Sequence, residues 1–268
     1  MTTPTPAVPG LDLSPSPAAA PMSRMLVAQT LLELRLTLRR GESVLLTLLI
    51  PLALLLFFST VDVLPEGSGP PIDFLVPGVL ALAVLSTSFT GLAIATGFER
   101  SYGALKRLGA SPLPRGVLLA GKTLAVLGVE VLQVALLVAV GFALGWNPGG
   151  STAAGVSMVP ATLLLLVLGT ACFAALGLLM AGALRAEATL AAANGMYLVF
   201  LMLGGIVFPL SQLPSAVARV AELLPAAALA EGLRDVLTGA GMPWAKVVVL
   251  AVWAVLAGLL AARTFRWE

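Results

Sequence analysis

The chain has 268 residues, 59% of them hydrophobic and only 10% charged, with a formal net charge of +2 and a mean hydropathy of +1.04. Soluble domains carry about a quarter charged residues, so a water-covered globule is excluded and a membrane-embedded chain is implied. With no histidine and one cysteine, Cys172, the sequence excludes an intrachain disulfide, disfavours structural zinc and removes Ser-His and Cys-His nucleophile pairs; Cys172 reads as a small packing residue.

Residues 1–22, rich in Pro, Thr, Ser and Ala with one charge at Asp12, read as a disordered tail ahead of a single transmembrane domain over 23–268. No basic stretch precedes a short apolar core, so the tail does not read as a signal peptide. Residues 23–40 predict an amphipathic helix. Val27, Leu31, Leu34 and Leu38 recur on one face, with Gln29, Glu33, Thr37 and Arg40 elsewhere. Such a helix lies along the inner leaflet or simply leads into the first span.

Six apolar runs of spanning length follow, at about 44–61, 74–98, 123–146, 160–184, 188–208 and 244–262. Pro51 kinks the first, and only Arg185, Ala186 and Glu187 separate the fourth from the fifth, a tight helical hairpin. With both ends cytoplasmic, Arg24, Arg35, Arg39, Arg40, Arg100, Lys106, Arg107, Arg115, Lys122, Arg185, Arg263 and Arg266 fall inside. Only Arg219, Arg234 and Lys246 then fall outside, beside an acidic first outer loop with Asp62, Glu66 and Asp73. The fold class is therefore an all-α polytopic membrane protein with six spans.

Between the second and third spans, residues 99–115 are too polar for lipid. Tyr102, Leu105 and Leu108 recur every three residues as an apolar edge among Arg100, Lys106 and Arg107, and Gly109, Pro112 and Pro114 stop the helix. This short basic helix suits docking on another protein, or serves only to fix topology. Residues 116–123, Gly116 to Thr123, match the phosphate-binding pattern GxxxxGK[ST]. The four intervening residues are apolar and run on into a span, without the strand that motif needs, so Lys122 is expected to snorkel to the inner headgroups.

Glu130, with Gln133 one turn on, lies inside the third span and must face protein or water. It serves either a substrate pathway or subunit interface, or an intrachain clamp. Residues 209–243 are cut by Pro209, Pro214 and Pro225 into short pieces, the first with Leu213, Val217, Val220 and Leu224 on one face, the second with Glu231, Arg234 and Asp235 in one turn. These pieces cap an exit or merely join two spans. Ala254, Gly258 and Ala262 offer a small-residue packing stripe on the last span.

Two stretches carry a family resemblance: Phe98-Glu99-Arg100 through Gly103 to Leu108, with Ser111-Pro112-Leu113 and Gly121-Lys122; and Phe208-Pro209, Leu213-Pro214, Leu224-Pro225 and Glu231 to Arg234. From about residue 25 onward the chain resembles the permease subunits of type-2 ABC exporters, particularly bacterial drug-export permeases of the daunorubicin-resistance type. The resemblance implies an interface helix containing Glu33, Arg35, Arg39 and Arg40. It implies a coupling helix to the ATPase comprising Glu99, Arg100, Tyr102, Gly103, Leu105, Lys106, Arg107, Leu108, Ser111 and Pro112. Re-entrant-type exit helices would contain Pro209, Pro214, Pro225, Glu231 and Arg234.

It further implies no catalytic site and no cofactor in this chain, ATP and magnesium being held by a separate cytoplasmic ATPase present in two copies. A second permease copy, as a homodimer, would complete a path lined by spans one, two and five in a bacterial inner membrane, with membrane lipids and no nucleic acid as further partners. The substrate implied is a drug, antibiotic or lipid-like amphiphile moved outward. The competing readings are an ion- or proton-coupled secondary transporter, weakened by the scarcity of buried acids and the lack of an inverted repeat, and a non-transporting membrane scaffold.

Overall fold

A chain this apolar must satisfy its backbone hydrogen bonds internally wherever lipid surrounds it, and helices do so within one segment. The computed structural model describes residues 20–39, 41–60, 71–149 and 152–265, and every regular element among them is helical. Asp12, Arg40, Asp62, Glu66, Arg266 and nearly all of the expected tail lie outside the described residues. The elements are α1 (Met22–Arg39), α2 (Gly41–Thr60), α3 (Pro71–Val84), a π-helical segment (Leu85–Gly91), α4 (Leu92–Ser101), α5 (Ala104–Gly109), α6 (Arg115–Ala143), α7 (Thr152–Ala183), α8 (Ala186–Leu203), a 3-10 turn (Leu210–Gln212), α9 (Ser215–Ala221), α10 (Pro225–Leu237) and α11 (Trp244–Thr264).

Among the described residues, five stretches are long and apolar enough to cross a membrane: Pro71–Ser101, Arg115–Ala143, Met158–Ala183, Ala186–Leu203 and Trp244–Thr264. Within α2, Thr47–Thr60 is a shorter apolar stretch that contains Pro51. The hairpin between α7 and α8 forms where expected, with Arg185 extended at the turn. Several boundaries move, and two of the shifts bear on the site. Helix α6 starts at Arg115, capped by an extended Pro114, so Lys122 lies two turns inside it and not at its edge. Helix α8 ends at Leu203, short of the expected 208, because Gly205 turns left-handed at φ 64°.

Helix α1 is packed inside out. Gln29 and Glu33 are its buried residues, while Val27, Leu31 and Leu38 are exposed. Water would reverse that arrangement, and a hydrocarbon or headgroup environment favours it. Gly121 permits the contact: a Cβ there would meet Cγ of Gln29 at 2.7 Å. The glycine of the apparent phosphate-binding pattern is thus a helix-packing residue, and residues 116–123 are helical throughout.

Two apolar clusters form. The larger joins α3, the π segment, α7 and α10 around Leu80, Leu82, Phe89, Phe173 and Leu229. In it the rings of Phe89, Phe173 and Phe200 meet edge to face, with centroids 5.6 to 6.4 Å apart. At Gly177 a Cβ would come within 2.8 Å of the Phe89 carbonyl, so glycine is what lets α7 close on the wider π turn. The smaller cluster, Leu92, Leu105, Leu118, Leu119, Val126, Ala174, Leu178 and Phe265, lies under α5 at the end of the bundle that carries Arg100, Lys106, Arg107 and Arg115. We call this the basic end, and the end carrying residues 204–243 the far end. Helix α11 runs along α7, burying Leu250, Ala257 and Ala261. That line is one residue off the expected stripe: Ala254 and Gly258 are half-buried and Ala262 is exposed.

Candidate functional site

At the basic end, α1, α4 and α6 converge on one lysine. The Lys122 side chain is only 1% exposed; its Nζ lies 2.9 Å from Glu33 of α1 and 2.5 Å from Glu99 of α4. Gln29 donates to Oε1 of Glu33 at 2.7 Å, completing the acceptor's shell. The expectation that Lys122 snorkels to headgroups is therefore corrected. Two carboxylates within reach outweigh the cost of drawing an ammonium inward, and a buried charge persists only when so paired. The residue after Glu99 turns the other way. Arg100 donates from Nη1 to the Gly182 carbonyl at 2.8 Å, and from Nη2 to the Leu184 carbonyl, satisfying acceptors left open at the end of α7.

After α4, Gly103 adopts φ 73°, a conformation that costs glycine little and lets the chain reverse into α5. Helix α5 ends at Gly109, followed by Ser111, whose hydroxyl bonds the Leu108 carbonyl at 2.6 Å, and by Pro112. The expected apolar edge divides: Leu105 is 0% exposed in the smaller cluster, Leu108 packs against that cluster half-buried, and Tyr102 is 76% exposed. Helix α5 uses its one inward turn to seat a leucine, leaving Tyr102, Lys106, Arg107, Ser111 and Pro112 exposed. Arg35 and Arg39 of α1 are exposed as well, and Arg40 lies outside the described residues.

The two polar residues expected inside the third span are both buried within the chain. Gln133 donates to the Thr47 carbonyl of α2 at 2.6 Å and accepts from Thr87 of the π segment at 3.0 Å. Glu130 accepts from Thr170 of α7, with its other oxygen unpartnered among the described residues. This geometry places Glu130 as a bond between α6 and α7. Between α1, α2, α4 and α6 a cleft of about 330 Å³ carries Glu33, Glu99 and Lys122 at one end and Thr47 and Thr87 along its length. A second cavity of about 210 Å³, between α2, the π segment and α8, is lined by Thr47, Pro51, Ser86, Thr90, Asn194 and Tyr197, with no charged residue. Among the described residues no group of three or more His, Cys, Asp or Glu is placed to hold a metal ion.

At the far end, Arg234 of α10 pairs with Glu231 one turn away, donates to the Gly205 carbonyl at 3.0 Å and sits 3.8 Å over the ring of Phe74. Asp235 pairs with Lys246 at 2.6 Å. Pro214 and Pro225 open α9 and α10, and Pro209 precedes the 3-10 turn. The apolar face expected on α9 stays open, with Val217 and Val220 exposed. Sequence reasoning missed Gln29, Lys122, Thr170 and Phe74 as partners. A lysine amid apolar residues at the edge of a predicted span was the one available signal.

Two comparisons bear on what this arrangement serves. The family model described as "ABC-2 type transporter" matches residues 26–238, from α1 to the end of α10. A Bacillus subtilis (strain 168) protein described as "Putative transport permease YvfS" is 22% identical over 247 residues, covering 88% of this chain and 95% of that protein.

Proposed function

The chain belongs to the ABC-2 type transporter family, and from that premise we propose that this multi-pass membrane protein is the permease subunit of an ATP-driven exporter. One observation carries the reading: the segment 99–112 is exposed on one side through Tyr102, Arg107 and Ser111, and clamped on the other. Glu99 reaches α1 through the shared Lys122, Arg100 reaches the end of α7, and Leu105 enters the smaller cluster. A short helix held this way transmits a push from a soluble partner to several long helices at once.

In this reading α5 and its flanks are the coupling helix, the basic end is cytoplasmic, and α1 is the interface helix on the inner leaflet. Helix α2 completes six spans with both termini inside. The exposed apolar face of α9 and the short α10 form re-entrant-type helices at the exit. A separate ATPase in two copies binds ATP and magnesium, and a second copy of this chain completes the pathway in a bacterial inner membrane. The uncharged cavity with Ser86, Thr90, Asn194 and Tyr197 supports an amphipathic substrate, a drug, antibiotic or lipid-like molecule, that offers neutral hydrogen-bonding groups.

The test is transport by inside-out membrane vesicles containing the chain and its ATPase. ATP-dependent accumulation of amphipathic fluorescent drugs, lost without ATP and insensitive to collapse of the proton gradient, is expected. Accumulation driven by the proton gradient alone would return the function to a secondary transporter.

A further inference from the structure

We propose that Phe265 is the pin by which the last span follows the coupling segment, a positioning residue whose functional half rests on the exporter reading above. Phe265 directly follows α11, its backbone N–H donating to the Ala261 carbonyl at 2.9 Å. It is 1% exposed, while its neighbours Arg263 and Thr264 are exposed. The chain therefore turns one large apolar side chain inward where it leaves the helix. That side chain joins Leu105 of α5, Leu92 of α4, Leu118 of α6 and Leu178 of α7 in the smaller cluster.

The seat is shaped for it. At Gly182 a Cβ would lie 2.9 Å from Cδ2 of the Phe265 ring and 3.2 Å from its Cα, so the ring occupies space that only glycine leaves. The carbonyl of that same Gly182 accepts from Arg100. One turn at the end of α7 thus receives the coupling segment through its carbonyl and α11 through its Cα. Helix α11 otherwise packs along α7 and against α10, touching α6 only slightly, with Val252, Val255, Leu256 and Leu259 exposed. A displacement of α5 carries α11 along only as far as the ring stays seated, because a close-packed cluster shifts as a unit and a cavity decouples it.

The experiment uses the full chain in lipid nanodiscs, in a Cys172→Ala background, with spin labels at Ala104→Cys of α5 and Ala262→Cys of α11, both exposed positions. The parent is expected to give one narrow distance distribution. Phe265→Ala and, independently, Gly182→Ala should each broaden it about twofold, and Phe265→Leu should largely restore it. An unchanged distribution in Phe265→Ala overturns the pin, as does broadening by Phe265→Ala without broadening by Gly182→Ala. In the complex with the ATPase, Phe265→Ala should keep ATP hydrolysis near the parent rate and lower substrate moved per ATP about tenfold, with recovery in Phe265→Leu. A parallel fall in hydrolysis and transport would make Phe265 a stability residue only and refute its positioning role. If no ATPase associates with the parent chain, the exporter reading fails, while the label distances still decide whether the pin exists.

Discussion

Lys122, buried, and Arg234, half-buried, are cations at opposite ends of the bundle, and their partners differ in kind. Lys122 holds two carboxylates from two other helices, α1 and α4. Arg234, with its side chain 13% exposed, keeps its carboxylate on its own helix and spends its remaining contacts on a carbonyl and a ring, Gly205 and Phe74, from other elements; its Nε has no acceptor among the described residues. The Lys122 pairs survive only while α1, α4 and α6 stay together. Arg234 can release Gly205 and Phe74 and still be paired. In the exporter reading proposed above, this contrast lets the basic end move as one piece while the far end rearranges.

Removing the lysine should have the largest effect. Lys122→Ala takes the shared ammonium from the buried Glu33 and the half-buried Glu99 and should cost about 3 kcal/mol, read as a drop in the thermal or denaturant midpoint of the chain in detergent. The triple variant with Glu33→Gln and Glu99→Gln should recover most of it. A small loss from Lys122→Ala alone would mean that the carboxylates reach water and the basic end is not rigid.

The glycines sharpen the contrast next. A Cβ at Gly78 would lie 2.6 Å from the Ile206 backbone carbonyl, whereas one at Gly121 meets the side chain of Gln29. Gly78→Ala should therefore cost about 1–3 kcal/mol and Gly121→Ala less, since Gln29 can shift; the reverse order in the same unfolding assay would contradict the packing described. Smaller again, Arg234→Lys keeps a charge for Glu231 but loses the planar fork that reaches Gly205 and Phe74. It should cost about 1–2 kcal/mol and raise proteolysis within residues 204–224. Lys246→Ala removes only a partly exposed pair with Asp235 and should change the midpoint by less than about 1 kcal/mol.

Much of the fold was legible because apolar run length is a direct reading of membrane thickness. The α7–α8 hairpin and the end of α5 at Gly109 came from adjacent residues that break helices. What was not legible depended on distance along the chain. Lys122 meets Glu99 and Glu33, 23 and 89 positions earlier, and no local pattern links them. The division of Tyr102 from Leu105 escaped because left-handed Gly103 breaks the helix between them, so the two never share one helix face. Helix α1 read correctly as amphipathic, yet its buried side is the polar one. That inversion follows from the solvent, and periodicity alone carries no sign.

The most direct measurement is recovery of the tagged full chain from its native membranes in mild detergent, beside a Tyr102→Asp/Arg107→Glu variant that alters only exposed residues of the segment 99–112. The expected result is stoichiometric capture of a soluble ATPase carrying its own phosphate-binding loop, lost in the variant while the chain keeps its unfolding midpoint. An intact parent chain recovered without any ATPase, under conditions that preserve other transporter complexes, would contradict the account.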